Sequence, residues 1–181
     1  LEFRSVLFRS VYLQGVLTDE RQQTSVEGVY AAGDCAEAFD VASNTTIVSA
    51  IQPNAVDQAY VAAMNMAGRR IASRGVTQIN VLDTLGLISS SFGLWMGKDG
   101  DAAEILTRDR FRYLNLQFED DVLVGATSLG LTQHVGVLRG LIQTRTRLGK
   151  WKDRLKEDPT RIMEAYLGAT QAVGFNAALM K

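Results

Sequence analysis

Residues Thr24–Glu37 read TSVEGVYAAGDCAE, and the fold class turns on them. Gly28 to Ala32 is predicted as a strand apolar on both faces, followed at once by Gly33-Asp34. A continuous apolar run of this kind suits a strand covered on both sides, as in a parallel sheet. Ending it in Gly-Asp puts a carboxylate at the carboxyl edge of the sheet, where open α/β folds bind ligands. Gly33 lets a sugar or phosphate come close to the backbone with no Cβ in the way. Ionised Asp34 accepts a hydrogen bond from a hydroxyl more strongly than a neutral group would. A plain turn after a strand is the competing explanation, and these residues alone do not separate the two.

Working outward, 11–75 reads as a short strand, a polar turn, the strand above, a long loop over Ala38–Gln52 and one long helix. Pro53 marks the start of that helix, since its fixed φ and missing N–H suit a first turn. The helix is expected to run to Ile71 and stop before Gly75, with Ala55, Ala59, Ala62 and Met66 along one packed face. Its first turn would aim N–H groups at the Gly-Asp edge, a place that favours anionic or electron-rich atoms. From Ile79 to Leu167 strands precede helices, the pattern of an α+β unit. Thr84–Met96 reads as one Gly-broken strand. Arg112, Leu114, Leu116 and Phe118 alternate with polar neighbours, and Val122–Ala126 returns as the hairpin partner across a charged turn. Val135, Leu138, Leu141 and Ile142 recur at helical spacing. Asp158 as cap and Pro159 at the first position announce a last helix carrying Ile162, Tyr166 and Ala169.

Composition excludes several classes. The chain has 181 residues, 22% charged and 46% hydrophobic, with a formal charge of -1, one Cys and one His. One Cys forbids an internal disulfide and any Cys-rich metal or iron-sulfur site, and one His argues against a multi-histidine centre, so no metal site is expected. Near-neutral charge gives no reason to expect nucleic acid. The uncharged stretches are too short and too polar to span a bilayer, so no membrane partner is expected. A reducing cytoplasm is favoured by the cysteine usage. FRSV occurs twice, at Phe3–Val6 and Phe8–Val11. Residues 1–10 are therefore expected to be a non-native leader.

Thr24, Val29, Tyr30, Ala31, Ala32, Gly33 and Asp34 match T-x-x-x-x-h-h-A-x-G-D, the second FAD-binding signature of the FAD-dependent pyridine nucleotide-disulfide oxidoreductases. Pro53, Ala55, Gln58, Ala62, Ala63, Asn65 and Gly68 follow the P-x-A-x-x-Q-G-x-x-A-A-x-N-x-x-G helix of that family, with Ala59 where a Gly is usual. The sequence thus resembles the C-terminal part of such a protein. Its second half, with LVGATSLG and VGVLRGLIQTR, is similar to the interface domain of rubredoxin reductases and of nitrite reductase large subunits.

The resemblance implies an α/β remnant of a FAD-binding Rossmann-like domain over 11–76, a small α+β C-terminal interface domain over 77–171, and a tail over 172–181. It implies FAD as cofactor and NAD(P)H as co-substrate of the parent. Gly33, Asp34, Gln52, Pro53 and Asn54 are the cofactor-binding residues it implies, with Asp34 on the ribityl chain and the helix start on the flavin ring; no catalytic residue is assigned. No G-x-G-x-x-G follows a strand, so upstream FAD and NAD domains are the expected missing partners. A second copy of the chain, or an electron-acceptor protein, is a further expected partner. The alternative is a non-catalytic α+β interaction module whose Gly-Asp turn is structural. Cys35 reads as a small buried residue, His134 as a first-turn polar residue, and Phe92 and Trp95 as core. The eight Lys and Arg from Arg139 to Arg161, with Trp151 among them, read as a solvated face.

Overall fold

Backbone contacts divide the chain into two units, 1–77 and 78–181. The computed structural model describes residues 14–97 and 101–179, with side chains to residue 171. The FRSV repeat and the expected leader lie outside the described residues. Among those described, the architecture is mixed α/β, with two sheets and four helices.

In the first unit β1 (Val16–Leu17) pairs in parallel with β2 (Ala36–Asp40), which pairs antiparallel with β3 (Thr45–Val48). The strand expected over Gly28–Ala32 is not there. Tyr30 makes one isolated bridge, to Gln23, and a 3-10 turn over Gly33–Cys35 separates this stretch from β2. A strand needs a ladder as well as an apolar pattern. Among the described residues 28–32 finds only that bridge, whereas β2 has a neighbour on each side. The expected loop over Ala38–Gln52 likewise contains β3, formed by the β-branched run Thr45-Thr46-Ile47-Val48. The β2–β3 turn is held by Asp40, whose carboxylate accepts from the backbone N–H of Ser43 at 3.1 Å.

Helix α1 (Gln52–Met66) starts as Pro53 predicts but ends short of Ile71. Asn65 is the reason. Its side chain accepts from Ile71 N–H and donates to the carbonyls of Val61 and Ile71, and Gly68 at φ +79° turns the chain away. The packed face also differs from expectation. Asn54, Gln58, Val61 and Ala62 are buried, while Val56, Tyr60 and Met66 are 60–63% exposed. The helix turns the amides of Asn54 and Gln58 inward beside Val61 and Ala62, and leaves Val56, Tyr60 and Met66 outward.

The second unit is a five-stranded antiparallel sheet in the order β4-β5-β8-β7-β6. Its strands are β4 (Ile79–Thr84), β5 (Leu87–Gly93), β6 (Ala102–Thr107), β7 (Arg112–Glu119) and β8 (Val122–Leu129). Thr84–Met96 is thus not one strand. Leu85 and Gly86, at φ +54° and +80°, make a two-residue hairpin turn between β4 and β5. β6 was not legible because it is an edge strand with only Ala103 buried. The β7–β8 hairpin follows the predicted alternation, with Leu114, Leu116 and Phe118 all buried.

Helices α2 (Val135–Thr144), α3 (Trp151–Glu157) and α4 (Ile162–Leu179) complete the unit. Leu138, Leu141 and Ile142 of α2, Leu155 of α3, and Ile162 and Ala165 of α4 join Leu116, Leu123 and Phe92 in the core. Asp158 caps the entry to α4 as predicted, accepting from Thr160 N–H at 3.0 Å. The helix backbone continues through 172–179, the segment expected to be a tail. The basic segment is ion-paired: Asp101 takes Lys152 at 2.5 Å and Lys156 at 2.7 Å, and Trp151 lies under Arg154 at 4.5 Å. Phe92 is core as expected, and Trp95 is half-buried.

Leu116 is fully buried at the centre of this unit. Leu116→Ala is expected to lower the stability of the second unit by about 2–5 kcal/mol through lost contacts and a residual cavity. Urea unfolding followed by tryptophan fluorescence, which reports only on this unit because Trp95 and Trp151 both lie in it, checks that outcome.

Candidate functional site

The 3-10 turn Gly33–Cys35 is the local device on which the site is built. Gly33 adopts φ +80°, a left-handed conformation that costs a glycine nothing and strains other residues. Ala32 before it is extended and Ala36 after it begins β2. Between them Asp34 is exposed, and among the described residues its carboxylate makes no hydrogen bond or ion pair. Cys35 is exposed too, with its Sγ 3.5 Å from the Ala32 carbonyl, rather than buried as expected.

Helix α1 lies against this turn. A Cβ at Gly33 would stand 3.6 Å from the Cβ of Ala55, an ordinary contact, so the glycine is required by its φ rather than by crowding. The side chain of Gln58 accepts from Gly33 N–H at 2.7 Å. Gln58 is 1% exposed, and its Nε2 has no partner among the described residues. A buried amide nitrogen without an acceptor is uncommon and points to a partner supplied from elsewhere.

The five residues singled out from the sequence divide in two. Gly33 and Asp34 form the turn, and Gln52 and Pro53 lie exposed at the start of the helix that packs on it. Ala55 N–H bonds to Ile51 O, so the first turn leaves the backbone N–H groups of Gln52 and Asn54 without intrahelical partners. The Asn54 side chain faces the other way. It is buried and donates to Ser49 Oγ at 2.7 Å and to Thr77 O at 2.9 Å, anchoring the helix start to the end of the unit. His134, outside this unit, is exposed at the N-cap of α2 with φ +63° and makes no capping bond. Among the described residues no group of His, Cys, Asp and Glu is arranged to hold a metal ion.

Two residues gain roles that spacing did not show. Gln58 is one. Glu37 is the other: 2% exposed behind the turn, it accepts from Gln14 N–H at 2.8 Å, Gly15 N–H at 3.1 Å and Thr46 Oγ1 at 2.6 Å. One carboxylate thereby ties the entry to β1 and the middle of β3 to the strand that leaves the turn. The Thr46 hydroxyl, then the two backbone N–H groups, hold Glu37 below the ordinary glutamate range, against burial that pushes it up. A separate cleft of about 400 Å³ in the same unit is lined by Thr18, Gln22, Phe39, Ser73 and Arg74.

No protein-family model matches the sequence. An NADH oxidase of Streptococcus pneumoniae is 38% identical over 98 residues, which is 54% of this chain and 21% of that protein. The epsilon subunit of an NADH-dependent phenylglyoxylate dehydrogenase from Aromatoleum evansii is 31% identical over 165 residues, 88% of this chain and 38% of that one. Among solved structures, the covalent putidaredoxin reductase–putidaredoxin complex aligns with a TM-score of 0.77 at 18% identity, over 93% of this chain and 39% of that chain. A FAD-dependent pyridine nucleotide-disulphide oxidoreductase from Desulfovibrio vulgaris aligns with a TM-score of 0.67 at 16% identity, over 87% and 42%. The chain spans between 14 and 38% of the length of the curated relatives it matches. Among the described residues no helix is long and apolar enough to cross a membrane.

Because the folded pKa of Glu37 is depressed, its stabilisation is complete above the ordinary glutamate pKa and is lost as pH falls through the lowered folded value. Glu37→Gln is expected to destabilise the first unit by about 1.5–3 kcal/mol at neutral pH. The difference from wild type should shrink in acid, below the ordinary glutamate range, as Glu37 itself protonates. Backbone hydrogen exchange of residues in β2 and β3 at the two pH values checks both parts.

Proposed function

We propose that this chain, which belongs to the pyridine nucleotide-disulfide oxidoreductase family, is the carboxyl-terminal part of a FAD- and NAD(P)H-dependent oxidoreductase and supplies one wall of its flavin site. The observation that carries this reading is the turn at Gly33 with its exposed Asp34, unpaired among the described residues, packed against the start of α1.

These residues suit the cofactor. Asp34 offers an ionised acceptor to a ribityl hydroxyl with no competing protein donor to displace. Gly33 brings backbone, not a side chain, to the cofactor. The N–H groups of Gln52 and Asn54 at the start of α1 suit an electron-rich ring edge, and the positive end of a fifteen-residue helix favours negative charge there. Within the set implied by the resemblance, Asn54 contributes through its backbone, because its side chain is committed to Ser49 and Thr77. Gly33, Asp34 and the first-turn N–H groups of α1 would hold FAD, which would supply the hydride- and electron-transfer chemistry. The protein's part is to hold the cofactor and bias its charge.

The sequence contains no G-x-G-x-x-G. The turns for the FAD and NAD pyrophosphates are therefore supplied by residues outside it, in the domains that the short coverage of the relatives leaves unaccounted for. The second unit is the interface part, facing a second copy of the chain or an electron-acceptor protein; one solved neighbour is a complex of a reductase with putidaredoxin. The Lys and Arg side chains of α3 are a weak docking patch, since Asp101 already takes two of them. A cytoplasmic setting belongs to the same reading, as nicotinamide chemistry draws on a cytoplasmic pool.

Two outcomes follow. The isolated 181-residue chain is expected to purify colourless, and stoichiometric yellow flavin after gel filtration would overturn the division of the site. In the complete protein, Asp34→Ala is expected to weaken FAD retention by about 1.5–3 kcal/mol, the contribution of a charge-assisted hydrogen bond. Flavin content after dialysis measures it, and an unchanged content removes Asp34 from the site.

A further inference from the structure

We infer, on the basis of that flavin reading, that Gln58 is the positioning residue of the cofactor turn: it clamps Gly33 so that the Asp34 carboxylate is presented in one orientation. Gln58 lies on α1 and reaches across 25 positions of sequence to accept the Gly33 N–H at 2.7 Å. Among the described residues it is the only side-chain acceptor for that N–H, and it acts on the residue whose φ of +80° sets the direction of the chain into Asp34. Gly33 has little else to hold it. Its backbone is freer than that of any other residue type, its hydrogen-bonded neighbours belong to a short 3-10 turn, and the stretch before it is joined to the unit by the single Gln23–Tyr30 bridge.

The clamp is well placed to be rigid. Gln58 is 1% exposed, between Asn54 and the buried pair Val61 and Ala62, so its long side chain has lost its rotamer freedom to packing before it meets the turn. A purely packing role would be served by an apolar side chain of the same length and would leave no amide to satisfy. The amide is instead half used, with Oε1 on Gly33 and Nε2 unpartnered among the described residues. Both ends belong to one planar group, so the free donor also lies beside the turn. α1 therefore does two things at the site. Its first turn offers backbone N–H groups, and its second turn fixes the residue before Asp34.

Gln58→Met keeps length and packing and removes the acceptor. In the 181-residue chain, the Gly33 amide is expected to be protected from hydrogen exchange, and Gln58→Met to speed its exchange at least tenfold while α1 amides keep their protection. In the complete protein, Gln58→Met is expected to weaken FAD retention about tenfold. In the double variant with Asp34→Ala the loss should be no greater than for Asp34→Ala alone, because Gln58 acts through Asp34. Gln58→Glu, which retains an acceptor, should restore Gly33 protection. An unprotected Gly33 amide in the wild-type chain overturns the clamp. Losses that add in the double variant overturn the positioning role and make Gln58 a direct ligand contact. If Asp34→Ala alone leaves flavin content unchanged, the flavin reading fails, while Gly33 exchange still decides whether Gln58 holds the turn.

Discussion

The hydrogen bond from Gly33 N–H to Gln58 Oε1 is where the first unit commits its helix to its turn. A neutral bond of this kind contributes only about 0.5–1.5 kcal/mol net, but leaving a buried partner unmet costs about 1–3 kcal/mol. The asymmetry makes the arrangement selective. If the turn shifted, Gln58 would keep its desolvation penalty with nothing in return. Glu37 does the same from the other side, holding Gln14, Gly15 and Thr46 with one buried carboxylate. The turn thus sits between two polar anchors, one on α1 and one on β2, and Asp34 is the residue left facing outward between them.

Apolar packing plays a smaller part here than in the second unit. Two of the four buried residues of α1 are the amides Asn54 and Gln58, while the larger apolar side chains Val56, Tyr60 and Met66 are exposed. In the second unit the balance is the ordinary one: Leu116, Leu123, Leu138, Leu141 and Leu155 are each at most 2% exposed, and the hairpins set the register. Close approach does appear there, at Gly125 among other glycines. Gly125 of β8 passes so near the carbonyl of Leu94 that a Cβ would collide with it, which is why a small residue interrupts that strand. The contrast is between a polar, hydrogen-bonded frame around the turn and an apolar core between sheet and helices.

Much of the candidate site was legible. Gly33-Asp34 stood out as a small residue and a carboxylate after an apolar run, and Pro53 located the helix start to within a residue of the observed Gln52. The β7–β8 hairpin and the Asp158-Pro159 start were readable because alternation and capping are properties of adjacent residues. The direction of Asn54 was not legible. A residue at the first turn of a helix can point to either side, and the choice was made by Ser49 and Thr77, five and twenty-three positions away. The role of Gln58 was hidden for the same reason, since its place in a motif says nothing about which group it meets.

By itself, the sequence determined the helix and hairpin starts, the residues of the turn and the resemblance that the comparisons bear out. These rest on local chemistry: the fixed φ of Pro53, the freedom of Gly33, the alternation from Arg112 to Phe118. Only the tertiary structure decided which apolar run becomes a strand. Val29 to Ala32 has the stronger hydrophobic pattern, yet Ala36–Asp40 forms the ladder, because β1 and β3 lie beside it. It also decided that α1 buries amides. Pairing and burial depend on what long-range neighbours supply, and Glu37 and Gln58 reach theirs across 22 and 25 positions of chain, beyond the span over which periodicity or capping carries information.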